Sequence, residues 1–180
     1  MDDIKVHAIW LAQDDPKKNT AVLASRRGDI TLHKNLRKIP RKGVILEPLC
    51  GKIFGPEDHE LLTLKHGALV GLDCSWAQIE DSVETVMKRT RLVPRMLPLL
   101  LAANPVNWGK PSKLTTAEAL AAALYLAGRK EQARNILGAF RWGDRFFELN
   151  KEPLEAYSMA KSSSELVDLQ FEFFDIEHLR

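Results

Sequence analysis

The chain has 180 residues, of which 45% are hydrophobic and 28% charged, a composition ordinary for a globular protein and sufficient to build a core without metal or disulfides. Its longest apolar runs, Met96–Ala103 and Ala119–Ala127, fall well short of the ~20 residues that span a bilayer, and the acidic start Met1-Asp2-Asp3 is unlike a signal peptide. The net charge of +2 hides an asymmetry: residues 1–43 hold ten Lys/Arg against five Asp/Glu, while the remainder is slightly acidic, so a polyanionic partner is expected on the N-terminal side.

In chain order, Val6–Ala12 is apolar enough for a buried first strand, and Asp14–Thr20 reads as a turn entering a short helix. Arg26, Arg27, Lys34, Arg37, Lys38, Arg41 and Lys42 follow, opposed only by Asp29 and with no long apolar pattern among them. A solvated charged surface is one reading and an RNA-backbone site the other; the interleaved aromatics that would read bases are absent. Val44–Leu46 is a second strand, closed by Pro48. Pro56 starts a helix through about Lys65, with Glu57 and Asp58 in its acidic first turn, and Gly67 ends it. Ala68–Asp73 has a buried-strand pattern. Ser75 and Gln78 form a capping box for a helix carrying Trp76, Ile79, Val83, Val86 and Met87 on one stripe. That places Asp73 at a strand's C-terminal end, the edge where open α/β sheets bind ligands, with Arg89, Arg91 and Arg95 adding charge nearby. Two isolated cysteines, Cys50 and Cys74, read as reduced cytosolic thiols.

The stretch from Met96 to Gly128 organises the rest. It runs from an apolar segment through a loop rich in Asn, Pro and Gly into an Ala-rich helix. Thr115 and Glu118 form a Thr-x-x-Glu capping box before that helix, and Gly128 stands where it should end. Such a helix start presents unpaired N–H groups that can hold a carboxylate or phosphate; taken on pattern alone, it reads first as an ordinary capped strand–loop–helix unit. Further on, Ala133, Ile136, Leu137 and Phe140 share one helix face that Gly143 should close, and Ser162–Ser164 caps a last helix with Leu166, Leu169, Phe173 and Phe174.

Several of these residues form a recognisable pattern. Leu97-Pro98, Ala102-Ala103-Asn104-Pro105-Val106-Asn107, Gly109, Pro111, Leu114 and Glu118-Ala119, with Asp73-Cys74-Ser75-Trp76, Phe140-Arg141-Trp142-Gly143 and Leu149-Asn150, resemble the ribosomal-RNA aminocarboxypropyltransferases over about residues 6–160. Three departures stand out: Trp108 where the family usually has Tyr, Asn19 where it has Cys, and Glu47 in place of the Ser of a Leu-Ser-Pro element. The resemblance implies an α/β fold with a SPOUT-like knotted N-terminal α/β part and a mostly helical C-terminal part. The expected division is residues 1–95, carrying the basic RNA-facing segment, and residues 96–180, carrying the knot and cofactor loop and then the helices. It further implies a cytoplasmic, S-adenosyl-L-methionine-dependent enzyme, expected as a monomer without metal or membrane attachment. That enzyme transfers the 3-amino-3-carboxypropyl group to N3 of a modified uridine, N1-methylpseudouridine, in small-subunit rRNA of the pre-ribosomal small subunit during ribosome biogenesis.

Carried over by motif position, Asp73 and Trp76 are the expected catalytic residues. Thr20 and the Thr116 backbone would hold the methionyl carboxylate. Backbone groups of Leu72, Leu97 and Ser112 would hold ribose and adenine, and Leu46, Pro48, Trp76, Leu97, Leu114 and Ala117 would line the apolar pocket. Arg26, Arg27, Arg37, Lys38, Arg41 and Lys42 are the expected RNA contacts. Read without the resemblance, Thr20 is a helix-start residue, Asp73 a helix cap and Leu46 ordinary core. The alternatives are a SPOUT-type RNA methyltransferase with the same cofactor and a non-catalytic ribosome-assembly factor that binds RNA. No His/Cys/carboxylate spacing suits a metal, and neither a phosphate loop, a dinucleotide fingerprint nor a nucleophile elbow is present.

Overall fold

The structure is a computed structural model, and it describes residues 2–176. Five strands, β1 (Val6–Trp10), β2 (Thr31–His33), β3 (Val44–Leu46), β4 (Leu69–Asp73) and β5 (Val93–Arg95), form one sheet in the order β2-β1-β4-β3-β5. Every pairing is parallel. A parallel sheet needs cover on both faces, and the alternation within each strand supplies it. Val6 and Ala8 of β1, Val44 and Leu46 of β3 and Leu69 of β4 point into one apolar cluster. Ile9, Ile45 and Val70, each next in sequence to one of these, point into a second.

The larger cluster is closed by helices α1 (Thr20–Arg26) and α4 (Thr116–Leu126) and, outside them, α5 (Lys130–Leu137), α6 (Gly143–Leu149), α7 (Lys151–Met159) and α8 (Ser163–Phe173). Helix α4 is apolar nearly all round, so it lies at the centre, between β4 on one side and α5 and α7 on the other. It approaches the sheet at Gly71, where a Cβ would lie 2.9 Å from Thr116 Cγ2 and 3.3 Å from Leu120. The smaller cluster is closed by α3 (Ile79–Met87), through Val86, and by Leu36 and Ile39 of the basic segment. No described helix is long and apolar enough to cross a membrane.

Several local expectations change. The basic segment is interrupted by β2, a three-residue edge strand paired only to β1. The helix expected from Pro56 to about Lys65 is a 3-10 turn, Pro56–Asp58, followed by the short α2 (His59–Thr63). Ser75 makes no capping bond; a 3-10 turn over Trp76–Gln78 precedes α3, and the Gln78 N–H reaches only the Ser75 carbonyl. Consequently Trp76 does not join the buried stripe of α3, which is carried by Ser82 and Val86. Gly143 does not end a helix: α5 stops at Gly138, and Gly143 begins α6, packed so closely on the Leu137 carbonyl that a Cβ would lie 2.0 Å from it.

The apolar run Met96–Ala103 lies just after β5 and is an irregular extended segment, with single bridges at Met96 and Leu101. Met96, Leu100 and Ala102 bond to backbone of neighbouring loops, while Leu99 and Leu101 are satisfied by side chains from distant helices, the requirement for any buried chain outside a ladder. Gln170 accepts the Leu99 N–H at 2.8 Å and Tyr157 donates to the Leu99 carbonyl at 3.0 Å. Asn150, fully buried, accepts the Leu101 N–H at 2.7 Å and donates to the Leu101 carbonyl at 2.9 Å.

Candidate active site

A cavity of about 480 Å³ opens at the C-terminal edge of the sheet, within the size range of small-molecule sites. Its wall is drawn from the ends of β3 and β4, the turn before α1, the segment after β5 and the loop that leads into α4. These are the connections that follow parallel strands, where such sheets bind ligands.

The floor is set by the α4 N-terminus. Thr115 Oγ1 accepts the Glu118 N–H at 3.2 Å, while Glu118 Oε2 accepts the Thr115 N–H at 2.7 Å, completing the expected capping box. Glu118 does more than cap. Its fully buried carboxylate also accepts the Thr115 hydroxyl, the backbone N–H groups of Ala103 and Asn104, and Asn104 Nδ2, all between 2.7 and 3.0 Å. A buried charge is tolerated when its lone pairs are filled in this way, and the result ties the 96–104 segment to the helix start. On the other side, Thr20 Oγ1 accepts the Ala117 N–H at 3.2 Å, joining the starts of α1 and α4. With that lone pair engaged, the Thr20 O–H proton is left to donate into the cavity, which Thr20 lines.

Asp73, at the end of β4, is buried. Asn19 donates to it from Nδ2, as well as to both oxygens of Asp14 at 3.0 and 3.1 Å, while its own Oδ1 accepts the Val22 N–H as the N-cap of α1. Burial pushes the Asp73 carboxyl up from 3.8 to about 6, with nearby Asp14 acting in the same direction; hydrogen bonds from Asn19 and Thr116 only partly offset this. A carboxyl so placed exchanges a proton close to neutral pH, as a general base must. Burial likewise raises the neighbouring Cys74 thiol, leaving it a poor nucleophile. Trp76 is half-exposed at the rim, with the Lys113 ammonium 4.6 Å from its ring centroid.

The structure therefore brings Thr20, Leu46, Pro48, Leu72, Asp73, Trp76, Leu97, Ser112, Leu114 and Thr116 around one cavity. Ala117 stands apart: it is fully buried one layer behind the lining and reaches the site only through its N–H to Thr20. The basic residues are also dispersed. Arg26 and Arg27 end α1, a helix that begins at the cavity and runs away from it, and Arg41 and Lys42 precede β3 at the opposite sheet edge. All six expected RNA contacts, Arg37 and Lys38 included, are exposed and outside the cavity. Arg95 is no free charge near the site; it forms a two-pronged ion pair with buried Asp58 at 2.9–3.0 Å. Asn19 and Asp14 are the members that sequence reasoning missed. Asn ahead of a helix start was a visible capping signal, but its reach to Asp73 is a tertiary fact. Among the described residues no group of three or more His, Cys, Asp or Glu could hold a metal ion.

Comparison with known proteins gives a consistent answer. Residues 44–174 match the family described as "Ribosome biogenesis protein, C-terminal". The 16S rRNA aminocarboxypropyltransferase of Methanosarcina mazei is 44% identical over 168 residues, covering 93% of this chain and 94% of that protein. The 16S rRNA aminocarboxypropyltransferase of Methanopyrus kandleri is 45% identical over 159 residues, covering 88% and 92%. Among solved structures, the SAM-dependent rRNA:acp-transferase Tsr3 from Vulcanisaeta distributa superposes with a TM-score of 0.78 at 39% identity, covering 86% of this chain and 83% of that one. With the motifs gathered around one cavity and likeness running the length of the chain, the protein belongs to the 16S rRNA aminocarboxypropyltransferase family.

Proposed function

We propose that this chain is the S-adenosyl-L-methionine-dependent enzyme that places a 3-amino-3-carboxypropyl group on N3 of N1-methylpseudouridine in small-subunit rRNA during ribosome biogenesis. The observation that carries the reading is the convergence of residues from four separate stretches, 14–20, 46–49, 71–79 and 96–119, on one cavity with a buried carboxyl of raised pKa. The donor set fits the cofactor. Leu46, Pro48, Leu97 and Leu114 form an apolar wall for a purine, with backbone groups of Leu72, Leu97 and Ser112 at hand. The Thr20 hydroxyl and the Thr116 end of α4 suit a carboxylate. Trp76 offers a rigid aromatic surface beside the site of a sulfonium.

When bound, S-adenosylmethionine supplies electrophilic carbons next to its sulfonium, and which one reacts is a matter of positioning. Thr20 and the α4 start would hold the carboxylate of the aminocarboxypropyl arm, and Trp76 would wall off the methyl group. Asp73 accepts the proton that the uridine N3 loses, or orients that N–H, from a position where Asn19 and Thr116 fix its carboxyl. The six exposed basic residues meet rRNA phosphates outside the cavity.

The reading extends to a SPOUT-like knotted arrangement, supported by the all-parallel sheet and by a cavity whose wall comes from both residues 1–95 and 96–180, the two parts into which we divide the chain. It places the reaction on the pre-ribosomal small subunit in the cytoplasm, with the protein acting as a monomer. Incubation of small-subunit rRNA with carboxyl-labelled cofactor should put label into RNA, while methyl label stays on the by-product 5′-methylthioadenosine. Methyl label alone in the RNA would instead mark a methyltransferase, and label from neither position, on rRNA shown to be unmodified, a non-catalytic assembly factor.

A further inference from the structure

The loop between the apolar 96–103 segment and α4 carries two large apolar side chains into solvent: Val106 is 83% exposed and Trp108 is 51% exposed. Neither lines the cavity, yet Asn107 between them does. The loop is not a loose one. Buried Asn104 accepts the Asn107 N–H at 3.0 Å and donates to Glu118 and to the Lys113 carbonyl. The Gly109 N–H donates to the Ala102 carbonyl at 2.7 Å, the Lys110 N–H to the Asn107 carbonyl at 2.9 Å, and the Ala102 N–H to the Lys110 carbonyl at 3.0 Å. Gly109 takes the positive φ of +73° that closes the turn.

The indole is thus held out on a turn pinned to the most heavily bonded carboxylate of the site. Holding an aromatic surface in water forgoes its burial, and a fixed, exposed aromatic is what stacking on a partner uses. Its surroundings select the partner. Lys110 and Lys113 are both exposed on the same loop, and Lys18 lines the same cavity. No acidic side chain lies between residues 97 and 117. An aromatic face with flanking cations is the combination that stacks an unpaired base while neutralising its backbone.

We propose that Trp108, backed by Val106, is a stacking platform for an unpaired rRNA base adjacent to the nucleotide that enters the cavity, with Lys110 and Lys113 on the neighbouring phosphates. The proposal rests on the reading of rRNA as acceptor. It assigns base contact to a loop far in sequence from the basic N-terminal segment, whose contacts are to phosphate.

The test uses the full chain and naked small-subunit rRNA transcript. Trp108→Ala should weaken RNA binding roughly 5- to 100-fold, the range for loss of one stacked base, and raise the KM for RNA more than it lowers kcat. Trp108→Tyr, which keeps an aromatic face, should restore most of the affinity. In the parent protein RNA should quench tryptophan emission, and Trp108→Tyr should lose part of that quenching. Calorimetry with S-adenosylmethionine should give the same affinity for all three proteins, which also certifies that the variants fold. Parent-like RNA affinity of Trp108→Ala would overturn the platform, as would a defect that appears only on pre-ribosomal particles and not on naked rRNA, since that points to a protein partner. RNA binding that depends on Trp108 in a protein that transfers nothing would support the platform while refuting the proposed reaction.

Discussion

Replacing Asp73 with Asn separates a catalytic carboxyl from a structural one, because the two roles move stability in opposite directions. In the folded protein burial holds this carboxyl at about 6, against 3.8 for an ordinary Asp. It therefore binds its proton more tightly folded than unfolded. The folded state is favoured below about pH 4, and that advantage is lost as pH rises through about 6. Roughly two pH units correspond to ~3 kcal/mol, so at pH 7.5 the ionised Asp73 destabilises the fold by about that amount. Asn keeps the size, can accept from Asn19 and needs no charge. Asp73→Asn should then raise Tm at pH 7.5 by about 6 °C or more, at the ~2–4 °C per kcal/mol typical of a chain of this length, and the gain should fade near pH 4. Transfer to rRNA should nonetheless fall about 10²-fold or more with cofactor affinity little changed, and in the parent kcat/KM should climb with pH up to about 6. Thermal melts across pH 4–8 alongside single-turnover transfer are the assay. A variant less stable than the parent by the same margin at every pH would make Asp73 a structural bond partner without a charge penalty, and full activity would remove the carboxylate from the mechanism.

Three further outcomes follow from the same geometry. Asn19→Asp would set a third carboxyl between Asp14 and Asp73, so the variant should lose stability as pH rises from 4 to 7, by several kcal/mol in order of magnitude, and recover on acidification; pH-resolved melts check this. Gly71→Ala adds a Cβ 2.9 Å from Thr116 Cγ2, so it should cost about 1–3 kcal/mol through overpacking and weaken cofactor binding by shifting the α4 start, as read by denaturant titration and calorimetry. Reversing Arg37 and Lys38 to Glu should weaken RNA binding and flatten its salt dependence while leaving cofactor affinity unchanged; unaltered RNA binding at moderate salt would remove this segment from the RNA surface.

What was legible in the sequence was local. The apolar runs at Val6, Val44 and Ala68 become β1, β3 and β4 because their alternating sides fill two clusters, and Thr115 and Glu118 cap α4 because the interaction spans one turn. What escaped depends on distant partners. Thr31–His33 has no apolar pattern of its own and is a strand only because β1 lies beside it. Ser75 and Gln78 have the letters of a capping box, but the 3-10 turn that follows spoils its geometry. In the site, the motif positions led to the cavity wall, whereas the Asp14–Asn19–Asp73 group joins residues 54 positions apart through one side-chain amide. Arg95 reads in the sequence as positive charge near the sheet edge, but it is taken by Asp58, 37 positions away.

The irregular 96–103 segment has a consequence for when the enzyme comes into being during synthesis. The strands of the sheet are all translated by Arg95, and the N-terminal half of the cavity wall with them. Behind the other half, Leu99 and Leu101 are held by Asn150, Tyr157 and Gln170, which are translated some fifty to seventy residues later. Until Gln170 has emerged and α8 has docked, the Leu99 N–H is without its partner, although Met96 is already bonded to Lys52 and Phe54. A nascent chain can thus bury much of its sheet and form the Glu118 network while the segment behind the cavity still lacks the helices that close it.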